Sequence, residues 1–97
     1  MTITTSASHG LLIEALSRVS VLVREHREEL PELQVYLASD RSQIDVLVVE
    51  RGATEPARRS TVERLARLLK LDEPKQGRVF FQTGNHLWHV YTPVETD

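Results

Sequence analysis

The run Ile44-Asp45-Val46-Leu47-Val48-Val49 constrains the fold of this chain more than any other stretch. It is short and dense in β-branched residues, whose stiff side chains suit a pleated strand better than a helix. Ile44, Val46 and Val48 point to one face of that strand, and Asp45, Leu47 and Val49 to the other. A strand with apolar residues on both faces belongs in the middle of a sheet, with cover on each side.

The flanking segments supply the rest of the sheet and its cover. Leu33-Gln34-Val35-Tyr36-Leu37-Ala38 alternates with a period of two and predicts a strand, joined through the turn-like Ser39–Gln43. Upstream, Leu12, Ala15, Leu16, Val19, Leu22, Val23 and His26 recur at three- and four-residue steps. That spacing predicts a helix from near Ser8 to Leu30, where Pro31 stops it. Leu11, Ile13 and Val21 widen its apolar stripe beyond what one packed face needs.

A second helix is predicted over 54–71. Thr54 offers a capping hydroxyl, Glu55 a first-turn acid and Pro56 an early proline. Ser60-Thr61-Val62-Glu63 forms a capping box that offers a later start. Thr54 is preferred because Ala57, Val62, Leu65, Ala66 and Leu69 keep the helical spacing from there. After a loop over 71–77 come two strand-like runs, Arg78–Thr83 and His86–Thr92, around Gly84-Asn85. A two-residue hairpin loop at Gly84-Asn85 pairs Thr83 with His86, Phe81 with Trp88 and Val79 with Val90 on the core face. Gln82 with Leu87, Phe80 with His89 and Arg78 with Tyr91 then share the outer face.

The order α-β-β-α-β-β predicts an α+β fold: a four-stranded, mainly antiparallel sheet with both helices packed on one face. With 97 residues there is room for one domain, expected over 8–93. A flexible segment 1–7 is expected before it and a tail 94–97 after it.

Composition excludes several function classes. There is no cysteine, so disulfides, thiolate metal sites and cysteine nucleophiles are absent. The net charge of −2 gives no general attraction to nucleic acid or to anionic membranes. No apolar run is long enough for a signal peptide or a membrane span, and the expected location is cytoplasmic. Ten of the twelve basic residues are arginine, a bacterial-type usage that fits a GC-rich genome better than any task of the chain.

No catalytic, metal or cofactor residue is expected. His86 and His89 stand three apart in a strand, so they point to opposite faces and do not chelate one ion. Glycines 10, 52, 77 and 84 form no phosphate-cradling loop, and no serine sits in a nucleophile elbow. Asp45 is the one carboxylate flanked by apolar residues in a strand. Beside His89, Arg78 or Tyr91 it offers a small ligand or enzyme site, although an ion pair is the commoner role of such a residue.

Two surfaces remain. Leu47, Val49, Phe80, His89 and Tyr91 form a second hydrophobic face suited to an interface. Arg58, Arg59, Arg64 and Arg67 make the second helix basic, an alternative contact for a protein partner or for nucleic acid. Glu63 lies four residues from both Arg59 and Arg67 and competes for them as a surface ion pair. The sequence therefore points first to a non-enzymatic protein–protein interaction or accessory module, a homodimer that also serves an unidentified protein. A nucleic-acid-associated regulator is the alternative.

Overall fold

The computed structural model describes residues 2–5, 9–26, 28, 33–38, 43–49 and 52–95. The elements are β1 (Thr2–Thr5), α1 (His9–His26), β2 (Leu33–Ala38), β3 (Gln43–Val48), α2 (Glu55–Leu68), β4 (Lys75–Gln76), β5 (Phe80–Gly84) and β6 (Trp88–Pro93). All six strands join one sheet in the order β1-β2-β3-β6-β5-β4. Five of them have four to six residues, and β4 has two.

The α+β class holds, but the sheet has six strands rather than the expected four and is mixed rather than mainly antiparallel. β1 runs parallel to β2 and β3 parallel to β6, while β2–β3, β5–β6 and β4–β5 are antiparallel. A helix between two neighbouring strands brings the chain back to its starting end, so the second strand runs the same way as the first. α1 does this between β1 and β2. α2, with the β4–β5 hairpin, does it between β3 and β6. The segment expected to be flexible at 1–7 thus carries a strand at Thr2–Thr5, and β3 lies at the centre of the sheet.

The register builds one apolar face. Leu33, Val35 and Leu37 of β2 pair with Val48, Val46 and Ile44 of β3. Ile44 and Val46 pair in turn with Trp88 and Val90 of β6. These residues form one buried cluster with Phe81, with Val19 and Leu22 of α1, and with Val62 and Leu65 of α2. Both helices therefore cover the same face of the sheet.

α2 starts where the Thr54 reading placed it. Thr54 is the N-cap, with extended φ and ψ of −71° and 160°, and its Oγ1 accepts from Ala57 N–H at 3.3 Å. Ser60 lies inside the helix. At the other end Leu71 N–H donates to Ala66 C=O at 2.8 Å, and Lys70 adopts a left-handed φ of 57° to close that turn. α1 ends at His26, four residues before the expected Leu30, and Leu30 and Pro31 lie outside the described residues. Of the wide apolar stripe on α1, Val19 and Leu22 are buried while Ile13, Leu16 and Val21 are exposed.

The last hairpin departs from its expected register. Gly84 pairs with His89, Thr83 with Val90 and Phe81 with Thr92, leaving Asn85–Leu87 as the loop. The cause is the Asn85 side chain, whose Oδ1 accepts from Leu87 N–H at 2.9 Å and Trp88 N–H at 2.8 Å. Gly84 is required there, because a Cβ on it would lie 2.4 Å from the Trp88 carbonyl oxygen. Every partner moves by an even number of residues, so no strand turns over. Phe81, Trp88 and Val90 stay in the core, but Val79 falls outside β5 and is 56% exposed rather than core. The segment expected as the 71–77 loop includes β4, with Lys75 opposite Gln82. The expected tail is partly docked: Val94 packs on the core and its N–H donates to Val79 C=O at 2.8 Å.

Candidate functional site

The face of the sheet away from the helices gathers four of the five residues expected at an interface. Strand alternation sends Asp45 and Leu47 of β3, His89 and Tyr91 of β6, and Phe80 and Gln82 of β5 to that side. Register then sets Asp45 against His89, Leu47 against Tyr91, and Tyr91 against Gln82. Val49, the fifth, follows the end of β3 and is half-buried. On the next strand Tyr36 faces Asp45 and Gln34 faces Leu47, with the Tyr36 hydroxyl donating to Gln34 Oε1 at 2.6 Å.

The aromatic groups pack on each other. The His89 and Tyr91 rings are stacked with centroids 4.4 Å apart and planes 15° from parallel. Phe80 meets Tyr91 edge to face at 5.0 Å. His89 also has polar contacts on both ring nitrogens. Its Nε2 lies 2.8 Å from Gln82 Oε1, and its Nδ1 lies 3.8 Å from Asp45 Oδ1. Asp45 is only 5% exposed although it sits on the helix-free side. Asp45 thus comes to His89, as the sequence allowed.

This arrangement holds a histidine in place more than it offers one to a substrate. A general base needs a ring nitrogen within hydrogen-bond reach of the proton it takes. Nε2 is engaged by Gln82 and Nδ1 faces Asp45. Two cavities among the described residues lie elsewhere. One of about 380 Å³ sits between Glu63 and Arg67 of α2 and the Leu71–Pro74 segment. The other, about 420 Å³, runs past Asp72, Lys75, Gln82 and Thr83. Neither is lined by Asp45, His89 or Tyr91. Among the described residues no group of three His, Asp or Glu could hold a metal ion.

The four arginines of α2 divide. The Arg58 side chain is 14% exposed. It donates from Nη1 to Ala53 C=O at 2.8 Å and from Nε to Thr92 Oγ1 at 3.1 Å. Weaker contacts reach Pro93 C=O at 3.4 Å and the Glu95 carboxylate at 3.7 Å. Thr92 in turn donates to Val48 C=O at 3.0 Å, so Arg58 ties α2 to both β6 and β3. Arg59 lies over the Phe81 ring at 4.4 Å and donates to Gln76 Oε1 at 2.9 Å. Arg64 and Arg67 are exposed. The four therefore do not form one solvent-facing set.

The role of Arg58 escaped the sequence reading, yet a signal was there. It precedes Thr61, Val62 and Leu65 by three, four and seven residues, which is the spacing of the buried stripe of α2. Gln82 was missed because the expected register set it against Leu87 rather than beside His89.

No family model, curated protein or solved structure matches the chain. Among the described residues no helix is long and apolar enough to cross a membrane.

Proposed function

We propose that this chain is a non-enzymatic protein–protein interaction module that works as a homodimer through the helix-free face of its sheet. One observation carries the reading. Both helices lie on one face of the sheet, and the other face gathers Leu47, Phe80 and Tyr91 with no described helix over them. A second copy supplies the missing layer through a twofold, self-complementary contact. Leu47, Phe80 and Tyr91 give that contact its apolar centre, with His89 and Val49 beside them.

Size sets the expected strength. Four central strands about 4.8 Å apart and six residues of about 3.3 Å each give a plane of roughly 400 Å² per copy. Two copies bury roughly 800 Å² by this count, below the ~1,200 Å² where stable interfaces begin. The dimer is therefore weak and depends on concentration. Sedimentation equilibrium from micromolar to millimolar chain should show reversible dimerisation, and Leu47→Glu should abolish it while leaving the circular dichroism unchanged. A strict monomer at millimolar concentration overturns the reading.

A further inference from the structure

Three neighbours of His89 each favour its charged form. Asp45 presents a buried carboxylate to Nδ1 at 3.8 Å. Gln82 presents its amide oxygen to Nε2 at 2.8 Å. The Tyr91 ring lies parallel to the imidazole at 4.4 Å, where its face attracts a cation. A neutral imidazole has one N–H donor and one lone pair, so one of its nitrogens would face an oxygen without a proton between them. An imidazolium donates to Gln82 and sets its positive charge 3.8 Å from the Asp45 carboxylate, an ion-pair distance. Its charge is opposite to that of the buried Asp45 carboxylate.

We propose that the His89 imidazolium is a proton-operated clasp on the helix-free face, tying Asp45 of β3 to Gln82 of β5 across β6. Gly84 is its register partner on β5. Among the described residues, the titratable or charged groups around it on this face are few. Asp45 faces it from β3 and Tyr91 stacks on it from its own strand. Tyr36 of β2 lies beyond Asp45, and Lys75 of β4 lies beyond Gln82. α1 and α2 pack on the opposite face. Loss of the proton removes the positive charge that faces Asp45, so the clasp opens on that side. A proton held more tightly in the folded chain adds stability that is whole below the unfolded midpoint. That stability is lost as pH rises through the folded midpoint.

The test is imidazole ¹⁵N NMR on the full chain between pH 5 and 9. At pH 7 both ring nitrogens of His89 should carry protons, and its midpoint should lie above that of histidine in the urea-unfolded chain, about 6.5. Asp45→Asn should shift that midpoint down. His89→Gln should flatten the fall of the melting temperature with rising pH above the unfolded midpoint. A neutral His89 at pH 7 in the native chain overturns the clasp, and this reading needs no variant to fold. So do melting temperatures of native chain and His89→Gln that run parallel across this range. The clasp is a property of one chain, so a strict monomer in sedimentation leaves it standing.

Discussion

Replacing Arg58 by alanine should destabilise the fold strongly, although the residue lies in the most basic helix of the chain. Its guanidinium makes two contacts of full strength, to Ala53 C=O at 2.8 Å and to Thr92 Oγ1 at 3.1 Å. The contacts to Pro93 C=O at 3.4 Å and to the exposed Glu95 carboxylate at 3.7 Å are long and add little. A hydrogen bond from a charged donor contributes about 1.5–3 kcal/mol net. Two bonds made by one side chain are not independent, so the expected loss is about 3 kcal/mol, part of it from acceptors left buried. For a domain near 100 residues each kcal/mol moves the melting temperature by about 4–8 °C, so the drop should be about 15 °C. Arg64→Ala and Arg67→Ala, on exposed positions, should each stay within about 0.5 kcal/mol of the native chain. Thermal and urea unfolding followed by circular dichroism measure all three. An Arg58→Ala chain melting within about 3 °C of the native one would refute this role of Arg58 in tying α2 to the sheet. The comparison also protects the nucleic-acid alternative from a false positive. Lost retention on DNA counts for that alternative only in the Arg64 and Arg67 variants, because an Arg58 variant loses stability along with its charge.

Three backbone positions give further tests by the same unfolding measurements. Gly84→Ala should cost about 2–4 kcal/mol, because its Cβ meets the backbone of Trp88 and His89 and the hairpin must open to admit it. Gly10→Ala, with nothing within 4 Å of the added carbon, should instead stabilise α1 by about 0.5–1 kcal/mol. Lys70→Gly should raise stability by up to about 1 kcal/mol by relieving the left-handed φ at the end of α2. A loss of stability in that variant would show that the Lys70 side chain matters more than its backbone conformation.

The legible parts of the fold were those governed by local periodicity. β2 has the bounds its alternation predicts, and β3 lies within one residue of them. The cap at Thr54 was readable because capping chemistry is local. What escaped was non-local. Thr2–Thr5 is a short polar segment whose β-branched residues count as a strand only because β2, some thirty residues on, pairs with it. The hairpin register was lost to a single side chain, since Asn85 closes a longer loop than Gly-Asn alone suggests. At the candidate site strand parity placed Leu47, Phe80, His89 and Tyr91 on one face, and parity survives an even slip. Gln82 came into view only with the true register. Arg58 was read by its charge, when its place on the buried stripe of α2 decides what it does.

The parallel pairing of β3 with β6 also governs how the chain folds in time. Ile44 meets Trp88 and Leu47 meets Tyr91, across the whole of α2 and the β4–β5 hairpin. β2 and β3 are joined by a short connection, as are β5 and β6, so each pair closes early at small loop entropy. The central seam closes a much longer loop, and contacts of such long range slow folding. β6 is the strand that joins the sheet: without it β1-β2-β3 and β4-β5 are two separate pieces.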